Sequence, residues 1–244
     1  MFDLDGTLAT SKNPPDIEMT DLMTALLEHH FVGIISGGMY SQLHDQFVSH
    51  LSADTQFEHL SILPTSGGSL YQYVHGQWAE KYSSILSPEQ KTHIMDALHQ
   101  ALDQAYYVTP ETTYGDIIED RDSQISFSGL GQHAPLTLKE TWDPEKTLRL
   151  RIINILKESL PDFDCKIGGS TTIDITLKGI NKAYGIKKLS ESLNIPIIDM
   201  LYIGDELEEN GNDFVAISSG IATHAVDNPE ETKEVIREIL KESV

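Results

Sequence analysis

Short apolar runs that end in small polar turns recur along this chain. They constrain its fold more than any other feature. Phe2 leads into Asp3-Leu4-Asp5-Gly6-Thr7. Val32-Gly33-Ile34-Ile35 leads into Ser36-Gly37-Gly38, Leu60-Ser61-Ile62-Leu63 into Thr65-Ser66-Gly67-Gly68, and Met200-Leu201-Tyr202-Ile203 into Gly204-Asp205. Apolar runs without alternation suit strands buried on both faces. Helical patterns lie between them. One spans 16–30, with Ile17, Leu22, Leu26 and Leu27 at helical spacing, and others span 40–51 and 182–193. Strands alternating with helices predict a parallel sheet with right-handed crossovers. Such sheets gather functional residues at the C-terminal ends of their strands.

The middle of the chain has a different texture. Segments 70–74 and 77–82 read as a hairpin across His75-Gly76, and a helix is expected from Pro88 to residue 105. Residues 123–130 alternate like a strand, and Asp143-Pro144 signals a second helix running to residue 159. Strands near 164–167 and 172–177 complete the block. The prediction is an inserted α+β unit over 68–177, between two parts of an α/β core, 1–67 and 178–244. A last short strand at 221–226 and an acidic amphipathic helix at 229–242 close the core. Only Met1 and Phe2 precede Asp3, whereas a buried strand usually runs about five or six residues. The first strand therefore either begins upstream of Met1 or is a short central strand.

The chain has 244 residues, 17 of them Lys or Arg and 38 Asp or Glu, for a net charge of −21. That field repels nucleic acid and anionic membranes, so neither is expected as a partner. A phosphate site must then rely on local cations, backbone amides and a metal. No apolar run is long enough to span a bilayer. No basic stretch followed by an apolar one marks an export signal. The single cysteine, Cys165, excludes an internal disulfide and suits a reducing compartment. A cytoplasmic location follows as an expectation, with Cys165 as a small core residue.

The tips of the strands carry the chemistry. Asp3 and Asp5, two apart on an extended segment, share a face. Paired carboxylates can bind a divalent cation, and one can attack phosphorus. Ser36, with Gly37 and Gly38, offers a hydroxyl and backbone N–H groups as a phosphate cradle. Lys182 opens a helix after Gly179-Ile180-Asn181, and Asp205 and Asp213 add two carboxylates. Glu206, Glu208 and Glu209 read as a solvated loop.

In this order, the elements resemble the four motifs of the haloacid dehalogenase superfamily of phosphohydrolases and phosphotransferases. Asp3-Leu4-Asp5-Gly6-Thr7 resembles the first motif, Ser36 the second, Lys182 the third, and Gly204-Asp205 with Asn212-Asp213 the fourth. The fold implied is a Rossmann-like parallel-sheet core, and the insert resembles the family's α+β cap of type C2B. One branch, the eukaryotic-type phosphomannomutases, shares the eight-residue step from Asp205 to Asp213. It is also similar at 168–174, at 179–182 and at 121–132. In that branch the stretch 121–132 begins and ends with arginines that hold the substrate's far phosphate. Here Arg121 stands at one end and Gln132 at the other, with Ser128 between. Lys12 takes the place of an arginine, and Ser126 that of an asparagine.

The resemblance implies that Asp3 becomes phosphorylated and that Asp5 is the acid and base. Ser36 and Lys182 would steady the phosphoryl group. Mg²⁺ would be held by Asp3, the Asp5 carbonyl, Asp205 and Asp213. Gly37, Lys12, Arg121, Ser128, Gln132, Thr172 and Asp174 are the expected substrate contacts, and the cap would close over the site. Gln132 lacks the charge of an arginine, and Lys12 is a poorer fork for phosphate. The reading put first is therefore a Mg²⁺-dependent phosphatase of a phosphorylated sugar or similar small metabolite. The alternative is a phosphomannomutase, and the remote one a binding protein on an inactive scaffold. A homodimer through the cap is implied by analogy.

Overall fold

The computed structural model describes residues 1–209 and 211–242. They form two compact units, one from 1–83 with 181–244 and one from 84–180.

In the first unit, Val32–Ile35 (β1) pairs in parallel with Leu60–Leu63 (β2). An antiparallel hairpin, Ser69–Val74 (β3) and Gln77–Ser83 (β4), follows β2 in the same sheet. The hairpin thus belongs to the core unit, which corrects its expected place in the insert. Its reason is the β2–β3 ladder, in which Ser61 faces Gln72 and Ile62 faces Tyr71. At the other end of the sheet, Leu201–Gly204 (β9) pairs in parallel with Ala222–Ala225 (β10).

The segment 1–3 joins these two halves. Phe2 bridges in parallel to both Ile34 and Ile203. Phe2 N–H donates to Gly33 O at 2.8 Å, Asp3 N–H to Ile203 O at 3.0 Å, Ile35 N–H to Phe2 O at 2.9 Å and Ile203 N–H to Met1 O at 2.8 Å. The order is β10-β9-(1–3)-β1-β2-β3-β4.

Both faces of this sheet are covered, as the apolar runs predict. Ile34, Ile62 and Ile203 pack with Ile17–His29 (α1), Tyr40–Gln46 (α2) and Pro229–Glu242 (α7). Ile35, Leu63 and Tyr202 pack with Ile186 and Leu189 of Lys182–Leu193 (α6). Neighbouring residues on a strand point to opposite faces, so each run feeds two cores. Helix α1 differs from expectation at Ile17, which is 80% exposed; Met19 and Met23 take the inward positions. The predicted helix over 40–51 stops at Gln46 and continues as a tight turn over 48–50.

The second unit holds an antiparallel sheet, in the order Ile118–Asp120 (β5), Gln124–Ser128 (β6), Thr172–Leu177 (β8) and Phe163–Ile167 (β7). Pro88–Gln104 (α3) and Thr147–Ser159 (α5) cover one face. Ile125, Phe127, Ile173, Ile175, Cys165 and Ile167 meet Ile94, Leu98, Ile152 and Leu156 there. Cys165 is buried in this cluster. A short helix, Leu136–Thr141 (α4), and strand β5 escape the sequence reading. No helix among the described residues is long and apolar enough to cross a membrane.

Candidate active site

Asp3 emerges from the middle of the core sheet, with strands β1 and β9 hydrogen-bonded to the segment on either side. The turn behind it requires glycine. Gly6 has φ +93°, and a Cβ there would strike the Asp205 carboxylate. The Thr7 hydroxyl, fully buried, donates to Asp205 Oδ1 at 3.0 Å. The first and fourth motifs are thereby packed onto each other.

Helix α6 brings the lysine. The Asn181 side chain caps it by accepting from Tyr184 N–H, so Lys182 stands in the first turn, 4% exposed. Its ammonium donates to Asp3 Oδ1 at 2.6 Å, to Asp213 Oδ1 at 2.5 Å and to Asn212 Oδ1 at 2.7 Å. Asp213 also accepts from the Tyr202 hydroxyl and, through Oδ2, from Glu206 N–H at 3.1 Å.

Asp3, Asp205 and Asp213 each offer a carboxylate oxygen, all within 4.8 Å of one another. Burial pushes Asp3 well above the usual carboxylate range; Lys182 opposes this, and Asp213 and Asp205 add to it. Asp205 is raised to about 6, first by burial and then by Asp213. Burial works against charge on Lys182, but Asp213 and Asp3 outweigh it and hold its pKa above the ordinary value. Three carboxylates thus face one ammonium. The excess of buried negative charge, borne on hard oxygen atoms, fits a divalent cation such as Mg²⁺.

Asp5 lies outside that cluster. Its Oδ1 accepts from Lys12 N–H at 2.8 Å and from Gln46 Nε2 at 2.9 Å, and Lys12 Nζ stands 3.7 Å from Oδ2. Ser36 ends β1, 6% exposed, with its hydroxyl accepting from Gly38 N–H at 3.3 Å across Gly37. The core motifs expected from the sequence therefore share the C-terminal edge of one sheet. Thr7, Gln46 and Tyr202 join them, though the sequence reading assigns them no site role.

The remaining expected contacts belong to the second unit. Arg121, 5% exposed, pairs with Glu119 at 2.5 Å. Ser128 and Thr172 are paired across β6 and β8, as are Ser126 and Asp174. Gln132 is half-buried in the loop that follows β6.

The sequence profile described as eukaryotic phosphomannomutase matches residues 19–242. The chain belongs to that family. It is therefore a haloacid-dehalogenase-type enzyme, of the phosphatase and phosphomutase class. Relatives include the phosphomannomutase of Oryza sativa subsp. indica, 25% identical over 248 residues that cover 98% of this chain and 94% of that protein. Phosphomannomutase 1 of Homo sapiens is 23% identical over 246 residues, covering 98% and 90%. Among solved structures, the N-terminally truncated, IMP-bound IMP-nucleotidase of Plasmodium falciparum superposes with a TM-score of 0.71 at 16% identity, covering 98% of this chain and 67% of that one. The C-terminal domain of C. albicans trehalose-6-phosphate phosphatase gives 0.67 at 16% identity, covering 98% and 91%. These two likenesses concern the fold.

Proposed function

We propose that this protein moves a phosphoryl group between positions of a hexose phosphate, as a phosphomannomutase does, through a phosphorylated Asp3. The observation that carries the reading is the retained cluster of Asp3, Lys182, Asp205 and Asp213 in a chain whose family and relatives are phosphomannomutases. This reverses the order of the sequence expectations, which put hydrolysis first.

Asp3 attacks one phosphorus of a hexose 1,6-bisphosphate, breaking its bond to the sugar oxygen, and Asp5 gives its proton to that oxygen, which departs as a hexose monophosphate. Asp5 then takes a proton from the hydroxyl that attacks the phosphorylated Asp3. Lys182 keeps Asp3 and Asp213 apart in charge and steadies the phosphoryl oxygens, and Ser36 holds another of them. Asp3, Asp205 and Asp213, with the Asp5 carbonyl, would hold Mg²⁺. When bound, the ion offsets the repulsion between carboxylate and phosphate dianion.

Hydrolysis of a sugar phosphate is the second reading, favoured by the uncharged Gln132. One experiment separates the two. Purified protein is given Mg²⁺, a hexose 1-phosphate and a trace of hexose 1,6-bisphosphate, and ³¹P NMR follows the products. Conversion to the 6-phosphate without inorganic phosphate, absent in Asp3→Asn, is the expected result. Release of inorganic phosphate as the main product would shift the assignment to hydrolysis. No turnover and no phosphorylated Asp3 would overturn both.

A further inference from the structure

The turn Thr65-Ser66-Gly67, which follows β2, has no part in the chemistry above, yet its backbone is strained. Its three residues have φ of 50°, 57° and 89° in succession. Among the described residues, Thr65 is the only β-branched one with a positive φ. Such a side chain resists that conformation, and strain of this kind persists only where the surroundings enforce it.

Those surroundings are two pieces of the active site. Thr65 N–H donates to Gly38 O at 2.8 Å, and Ser66 N–H donates to Ser36 O at 2.9 Å. The turn thus aims two successive N–H groups at the two ends of the Ser36-Gly37-Gly38 cradle. An extended chain would send them to opposite sides, whereas a turn can bring them together. The Ser36 N–H is held as well, donating to Leu63 O at 3.2 Å.

Helix α6 lies against the same turn. A Cβ at Gly67 would come 2.6 Å from Gly185 Cα and 3.3 Å from Asn181 O, and a Cβ at Gly185 would come 2.9 Å from Gly67 Cα. Only a pair of glycines permits this approach. Asn181 and Gly185 bracket Lys182 in the sequence.

Tyr82, near the end of β4, completes the arrangement. Its hydroxyl donates to Gly67 O at 2.7 Å, and its ring meets that of Tyr184 edge-on, with centroids 6.0 Å apart. Burial holds its pKa above the usual value, so the phenol stays a donor.

We infer that the Thr65-Ser66-Gly67 turn is a positioning element for phosphoryl transfer. It fixes the Ser36 cradle and the start of α6 at one spacing, and Tyr82 locks it in that form. Ser66 and Tyr82 are then positioning residues that act through Ser36 and Lys182. The inference deepens the reading above and rests on one part of it, the phosphorylation of Asp3.

The test is uptake of beryllofluoride with Mg²⁺, followed by calorimetry and ¹⁹F NMR. Beryllofluoride adds to a carboxylate as a mimic of its phosphorylated form. Tyr82→Phe should weaken uptake by about five-fold, the equivalent of one neutral hydrogen bond. Ser66→Pro loses the N–H and cannot take a positive φ, so the loss should be about ten-fold or more. Both should move the ¹⁹F signal that Ser36→Ala moves. Ser66→Gly takes the same φ without strain and should keep the affinity within about two-fold. A purely structural turn would lower the melting temperature of these variants and leave affinity and ¹⁹F signals as in the parent. That result, read from Tyr82→Phe if Ser66→Pro does not fold, would overturn the inference and leave phosphorylated Asp3 standing. A parent protein that takes up no beryllofluoride would overturn both.

Discussion

The Tyr202 hydroxyl donates to the same Asp213 oxygen that accepts from the Lys182 ammonium. Tyr202 and Asp213 are both fully buried. Burial, then the Asp213 and Asp3 charges, hold the Tyr202 pKa well above its usual value, so the phenol stays a donor. Removing it leaves a buried carboxylate with fewer donors. Tyr202→Phe should lower stability by about 1.5–3 kcal/mol, the range for hydrogen bonds to charged groups. Urea unfolding measures this; an unchanged midpoint would show that the hydroxyl contributes nothing.

Asp205 makes the metal-free protein sensitive to pH. Its native pKa of about 6 lies above the ordinary 3.8, so between these values the native state binds a proton that the unfolded chain does not. For this group, stability therefore rises as pH falls from 7 through 6 towards 4. Asp205→Asn should raise the metal-free melting temperature at pH 7.5 and flatten this part of the profile. Mg²⁺ should stabilise the parent protein at pH 7.5 and lose grip below pH 6, where Asp205 takes up its proton. Calorimetric scans with and without Mg²⁺ test both statements. A lower melting temperature for Asp205→Asn without metal would refute the first.

Gln46 uses one amide nitrogen to donate to Asp5 Oδ1 and to Asn13 O, at 2.9 and 3.0 Å. It fixes the Asp5 carboxylate against the loop after the first motif. Gln46→Ala should slow transfer from a sugar phosphate by about ten-fold, a fraction of what acid–base catalysis supplies. The loss should shrink as the leaving group becomes more acidic across a series of aryl phosphates. A loss independent of leaving group would mean that Gln46 does not act through Asp5.

Arg149 is the largest fully buried side chain of the second unit. Its Nε pairs with Asp143 at 3.1 Å, and its Nη1 donates to Gly169 O at 2.8 Å. Arg149→Met would take the cation from the buried Asp143 carboxylate and leave it only the backbone N–H donors of residues 148 and 149, at a cost of about 3–5 kcal/mol. Hydrogen exchange should quicken across α5 and the 168–172 turn; unaltered protection there would contradict the account.

Much of the site was readable because its residues announce their own geometry. Asp-Leu-Asp-Gly-Thr combines a strand end, a turn and two carboxylates, and Asn181 before Lys182 marks a helix start that the structure reproduces. Tyr202 was not readable, because inside an apolar strand an aromatic residue looks like core until its hydroxyl's partner is known. Gln46 lies 41 residues from Asp5, and no local pattern links them. The 69–83 hairpin carries the same alternation whichever sheet it joins; only its ladder to β2 decides. Strand β5, three residues long, is too short to show a period.

The segment 1–3 is the seam between the two halves of the core sheet, and it also carries Asp3, the proposed nucleophile. Closing the sheet and loading the active site are consequently one event. A molecule whose core has fully assembled has, by that act, already set Asp3 in place.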